Sequence, residues 1–175
     1  MTSAPTWQAV GAGSATTGGI SNNDGSSGVA SLAIAPDGTP YVAWEDDTAG
    51  NFEIYVLRWN GGSWEPVGAG SASGGGISDN DGESAFPSLA FAPDGTPYVA
   101  WEDDTAGNFQ IYVLRWNGSN WEPVGAGSAS AGGVSDNAGT SQMPCVALDP
   151  SGDPYLAWHD QSSGDWEIYM KAWGY

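Results

Sequence analysis

The 175-residue chain contains one cysteine, one histidine and three cationic side chains. Each scarcity removes a class of chemistry. Cys145 alone closes no intrachain disulfide, and it leaves no Cys-x-x-Cys pair or Cys/His zinc site. It reads as a small buried strand residue, with Ser88 as its counterpart one copy earlier. His159 alone supplies neither a Ser-His-Asp triad nor a cluster of metal-binding imidazoles. Arg58, Arg115 and Lys171 stand against 21 acidic residues, for a formal charge of −18. That surface repels phosphate backbones and anionic headgroups, so neither nucleic acid nor membrane is an expected partner. No apolar run approaches the roughly 18 residues that a bilayer-spanning helix needs. MTSAPTW has no basic or hydrophobic leader region. The expectation is therefore a cytoplasmic chain or one preceded by a removed export signal; the acidity favours an extracellular setting.

What the chain has in quantity is repetition. APDGTPYVAWEDDTAGNF occurs twice without a change, from Ala35 and again from Ala92. WQAVGAGSA, WEPVGAGSA and WEPVGAGSA begin at Trp7, Trp64 and Trp121, a constant interval of 57 residues (64 − 7 and 121 − 64). Such a period points to a repeat architecture. The third copy has drifted to DPSGDPYLAWHDQSSGDWEIYMKAW.

Within a copy, SLAIA is a short apolar run ended by the turn-forming P-D-G-T. TPYVAW reads as a second strand, EDDTAGN as its turn, and EIYVLRW as a third strand rich in β-favouring residues. Asn60-Gly61 in WNGGSW supplies the positive φ of a two-residue hairpin. WEPVG closes the unit, with Pro66 and Pro123 marking an edge strand. Tyr41 and Ala43 face one way and Val42 and Trp44 the other, so both faces must be covered. The expected fold is all-β: a β-propeller with three four-stranded antiparallel blades per chain. Residues 1–6 form an N-terminal tail and residues 7–175 the three-blade unit.

The end segments complement each other. Trp7 to Val10 reads as a fourth strand without a blade, and Cys145 to Trp173 as a blade without a fourth strand. Three blades do not curl into a ring, so a homodimer is expected, with each chain lending its first strand to complete six blades.

With its P-D-G turn and W-N-G-x-x-W hairpin, the chain resembles the highly repetitive bacterial β-propellers. It is also similar to small bacterial fucose lectins, which share a W-[DN]-G-x-x-W hairpin and build six-bladed rings from short chains. Those lectins hold sugar between blades through an Arg, a carboxylate and a Trp. The resemblance places Trp64 and Trp121 at the Trp, with the Arg falling near Tyr41 and the carboxylate near Val56.

The candidate site residues follow. Trp7, Trp64 and Trp121 open the outer strand and could stack on pyranose C–H faces, whereas indoles between blades serve packing. Asp46, Asp103 and Asp160 recur in every copy, as ligand-binding acids or as turn residues accepting backbone N–H bonds. E-D-D-T-A-G-N-F-E is a weak calcium-loop candidate, lacking an acid at Ala49, and no other cofactor is implied. Arg58, Arg115 and Lys171 read as one structural cation per copy at a shared position, paired with an acid or an aromatic ring. Glu45, Asp46 and Asp47 offer paired acids, but nothing separates their pKa values as glycosidic chemistry would need. The expectation is a non-enzymatic, lectin-like propeller that binds glycans at repeated sites between blades; the alternative is a structural or self-assembling scaffold with no small-molecule ligand.

Overall fold

Each copy folds as a chain of hairpins. In the computed structural model, which describes residues 4–16 and 18–174, the first sheet holds β1 (Ser27–Ile34), β2 (Pro40–Asp46), β3 (Glu53–Trp59) and β4 (Trp64–Pro66). They lie side by side in chain order, and every neighbouring pair is antiparallel. The second sheet repeats this with β5 (Ser84–Phe91), β6 (Pro97–Asp103), β7 (Gln110–Trp116) and β8 (Trp121–Pro123). The third holds β9 (Ser141–Leu148), β10 (Pro154–Asp160) and β11 (Glu167–Ala172). Among the described residues it has three strands rather than four, and no helix occurs.

The turns form where the residues dictate. Pro36 presets φ, Gly38 N–H donates to Ala35 O at 2.8 Å, and Asp37 Oδ1 accepts the Thr39 N–H at 2.9 Å. The β3–β4 hairpin sits one residue further along than expected. Asn60 N–H donates to Ser63 O at 3.0 Å, so Gly61 and Gly62 form the loop, with Gly61 at φ 93°. Asn60 instead braces it, its Oδ1 accepting the Gly62 and Ser63 N–H groups.

The first strand of each blade starts earlier than SLAIA suggests, because a bulge interrupts its alternation. Val29, Phe86 and Met143 take φ values of 38°, 52° and 51° where the register to the second strand slips. The bulge has a purpose between blades. It turns the Phe86 N–H onto Glu45 Oε2 at 3.1 Å and the Met143 N–H onto Glu102 Oε2 at 2.7 Å. Two residues on, Ser31 Oγ accepts Leu89 N–H and Ser88 Oγ accepts Val146 N–H, both at 3.0 Å.

Strand four is short, so the following loop completes the edge of strand three. Val56 N–H donates to Ser71 O, Ile77 N–H to Ile54 O, and Ile54 N–H to Ser78 Oγ. The second blade repeats these bonds at Val113–Ser128, Val134–Ile111 and Ile111–Ser135.

Apolar side chains fill the two spaces between consecutive sheets. One cluster joins Tyr41, Ala43, Ile54 and Val56 to Leu89, Val99, Trp101 and Leu114; the next joins Ala100, Ile111 and Val113 to Val146, Leu156 and Trp158. The opposite facing of Tyr41/Ala43 and Val42/Trp44 is as the alternation requires. The outward face of the first blade is covered in part, where Val42, Trp44, Tyr55 and Leu57 are buried with Ile20, but the outward face of the third blade is not. Ile54 and Ile111 are 0% exposed, whereas their counterpart Ile168 is 78% exposed; Val56 is 0% and its counterpart Met170 is 67%. Leu32 and Ile34 are exposed on the other end. Cys145, expected to be buried, is exposed because it lies on that uncovered third blade. Trp7 to Val10 forms no strand within the chain, since a strand requires a partner. The expected tail extends partly outside the described residues.

Candidate functional site

The sequence R-W-N-G-x-x-W-E sets an Arg and a Glu opposite each other across the outer hairpin. Arg58 pairs with Glu65 in register, with Nε and Nη2 donating to Oε1 at 2.9 and 2.8 Å. Asn60 Nδ2 donates to Glu65 Oε2 at 2.8 Å. The second blade repeats the set: Arg115 Nε and Nη2 reach Glu122 Oε1 at 3.0 and 2.9 Å, and Asn117 Nδ2 reaches Oε2 at 2.7 Å. The bonds from Asn60 and then Arg58 hold the Glu65 carboxyl below its ordinary value. Tyr41, across β2 from Arg58, and then Glu65 stabilise the guanidinium charge and raise its pKa.

These groups border open grooves. One of about 550 Å³ lies between the first two blades, lined by Tyr41 and Arg58 on one side and Asp94, Tyr98, Arg115 and Trp116 on the other. Another of about 420 Å³ runs over Asp37, Tyr41, Arg58, Trp59 and Glu65 on the rim of the first blade. A forked donor, a carboxylate acceptor and aromatic faces converge in each. Tyr155 and Ala172 occupy the corresponding ladder position in the third blade, so the cation is missing there.

The structure relocates several expected site residues. Trp64 and Trp121 are clasps rather than open platforms. Their Nε1 groups donate to Val10 O and Val67 O, both at 2.9 Å, and their rings tilt against Trp59 and Trp116 at 5.8 Å. Gly68 has to be glycine here, since a Cβ would lie 2.4 Å from the Trp116 ring and φ is +94°. Trp7 is fully exposed.

Asp46, Asp103 and Asp160 are 0% exposed and so cannot reach a ligand. Each is a hydrogen-bond hub. Asp46 accepts from Trp44 Nε1, Ser27 Oγ, Asn23 Nδ2 and Thr48 Oγ1, at 2.5 to 2.9 Å. Burial opposes ionisation of Asp46, but the bonds from Thr48, Asn23, Trp44 and Ser27 outweigh it and hold the carboxyl below its ordinary value. Asp160 is lowered by the same balance. Both do accept backbone N–H bonds, from Thr48 and Ser162, as turn acids were expected to.

Lys171 is not the equivalent of the arginines. It pairs with Leu156, at the register position of Leu57 and Leu114, and its Nζ donates to Val134 O and Ser135 O. The acidic turn does not gather for calcium: Asp47 Oδ1 accepts the Ser26 N–H, and Glu53 is buried. Among the described residues no three His, Cys, Asp or Glu side chains converge on a metal position.

Sequence reasoning saw the arginines but missed Tyr41, Trp59 and Glu65 as their companions. The signal was present in the hairpin spacing, which fixes Arg58 opposite Glu65.

No family model and no curated protein sequence matches the chain. Solved structures do. A protein of unknown function from Dyadobacter fermentans aligns with a TM-score of 0.57 at 15% identity, over 87% of this chain and 52% of its own. An endo-arabinase from Bacteroides thetaiotaomicron aligns at 0.53 and 17%, over 87% and 58%. A fucose lectin from Kordia zhangzhouensis, in complex with methyl-fucoside, aligns at 0.50 and 15%, over 83% and 98%. The chain thus spans little more than half of the first two and nearly all of the lectin. At these identities the likeness speaks for architecture, and with the three repeated antiparallel sheets it makes this chain a sector of a β-propeller.

Proposed function

We propose that the chain binds neutral carbohydrate in the rim grooves beside Arg58 and Arg115. The observation that carries this reading is the repeated pairing Arg58–Glu65 and Arg115–Glu122. The arginine of each pair is nearly half-exposed and its glutamate about a third, and the pair opens beside a Tyr and a Trp. Sugar hydroxyls both donate and accept, so a guanidinium and a carboxylate held together suit them, while an aromatic wall takes the C–H face. The net charge of −18 disfavours anionic sugars. The likeness to a lectin complexed with methyl-fucoside and to an endo-arabinase supports a carbohydrate ligand.

Binding fits better than hydrolysis. Burial raises the carboxyls of Glu53 and Glu102, the property a general acid needs, yet Glu53 lies beneath its following loop and Glu102 in the junction with the next blade, and neither lines the grooves. Two weak sites on one chain gain strength against a multivalent glycan. Titration of the chain with a panel of neutral glycans including methyl-fucoside, followed by calorimetry, tests the reading. Binding that is lost in Arg58→Ala/Arg115→Ala supports it. No heat at millimolar sugar, or binding indifferent to both arginines, rejects it in favour of a scaffold without a ligand.

A further inference from the structure

The structure assigns the uncovered third blade to a second copy of this chain, whose residues 7–16 and 18–21 seat along β11 and whose first blade packs on the exposed face. The argument is continuity with the two blade junctions already inside the molecule, whose main contacts have counterparts at the open one.

The socket comes first. Trp121 packs against the cluster that holds Val67, Ile77, Val99 and Leu114, with its indole N–H on Val67 O. One copy later the counterparts Val124, Val134, Leu156 and Lys171, with Trp173, line an apolar cavity of about 240 Å³. No indole fills it among the described residues. Trp7 is the matching side chain, and it stands fully exposed. Translating the ladder of β7 and β8 sets the partner's Trp7 against Trp173 and aims its indole N–H at Val124 O.

The edge is next. Continuing the bonds that close β3 and β7 pairs Met170 N–H with the partner's Ser14 O, the partner's Ile20 N–H with Ile168 O, and Ile168 N–H with the partner's Ser21 Oγ. All three partner positions hold the residue, or the residue type, that these bonds require.

Charge then fits. Arg58 and Arg115 face Glu65 and Glu122, but Ala172 stands where a third Arg would be. The strand that would lie opposite carries Gln8 where the others carry Glu. Both members of the ion pair have changed together, so seating the partner's Trp7 segment strands no charge.

The face supplies an orphan. His159 takes the place of Glu45 and Glu102, which accept the bulged N–H of the next blade. Its Nε2 is buried and has no hydrogen-bond partner. Val29 repeats that bulge on the open face of the first blade, at φ 38°. In the assembled pair the imidazole, now beside the Trp166 ring at 4.5 Å, swings its Nε2 outward to accept the partner's Val29 N–H. Ile168 and Met170 then lose their water contact as Ile54 and Val56 do, and so does Leu32 as Leu89 does. Applied twice about a two-fold axis, the contact closes six blades without an open edge.

Multi-angle light scattering of the full chain at tens of micromolar tests this. The expected mass is twice the 18.0 kDa of one chain. Trp7→Ala, which removes a fully exposed side chain, is expected to weaken association at least tenfold with an unchanged far-ultraviolet spectrum. Leu32→Glu does the same through the other end face. A monomer overturns the inference and leaves the face to a blade from elsewhere. An assembly larger than two chains overturns the two-fold closure. A dimer indifferent to both substitutions overturns the seating.

Discussion

Glu53 and Gln110 hold the same position in successive blades, each 1% exposed and each accepting a serine hydroxyl and an asparagine N–H from the following loop. Ser78 and Asn80 serve Glu53; Ser135 and Asn137 serve Gln110. The difference lies in what else the group can do. The Gln110 amide also donates to Asn137 O and Gly139 O, which a carboxylate cannot.

A pH dependence follows. Burial, and then the charge of Asp103, raise the Glu53 carboxyl above its ordinary 4.5, against the bonds from Ser78, Asn51 and Asn80. Between 4.5 and that raised value the folded chain holds a proton that the unfolded chain has released, so stability falls as pH rises through the window. Glu53→Gln is expected to be more stable than wild type by about 1 kcal/mol at pH 7, with the advantage gone below pH 4. Urea midpoints at the two pH values measure it.

The aspartate hubs give the opposite sign. Asp46 and Asp160 are lowered from 3.8, so they contribute stability above that value that is lost as pH falls below it. Asp46→Asn sets an amide N–H against donors already aimed at the carboxylate. A loss of about 2–4 kcal/mol at pH 7 is expected in denaturant unfolding.

Trp121→Ala empties a packed indole and breaks its bond to Val67 O. The expected cost is about 3–5 kcal/mol, read as a lowered midpoint with unchanged slope.

Gly68→Ala brings a Cβ within 2.4 Å of Trp116 at a left-handed φ and should cost more than 1 kcal/mol. Gly70→Ala, also left-handed but with open space around its Cβ, isolates the backbone part of that loss. Thermal unfolding of the two variants separates collision from conformation.

The blade was legible because its signals agree: P-D-G turns, alternation through TPYVAW, and a hairpin marked by Asn and Gly. The bulge was not, because Val29, Phe86 and Met143 are side chains that sequence gives no reason to place at positive φ. The aspartates misled for a different reason. Asp46 sits in a stretch that reads as a solvated turn, yet its donors Asn23 and Ser27 come from 23 and 19 residues away and seal it. Lys171 shows how sharply a strand register discriminates. K-A-W against L-R-W moves the cation by one residue and so to the other face.

The bonds across a blade junction recur at a separation of 58 residues for Ser31–Leu89 and Ser88–Val146, and of 41 for Glu45–Phe86 and Glu102–Met143. A gene that gained or lost one whole copy would therefore need no newly invented interface. Growth or shrinkage in such steps would reuse the same residue pairs at every added joint, so the sector could lengthen without a new contact having to be found.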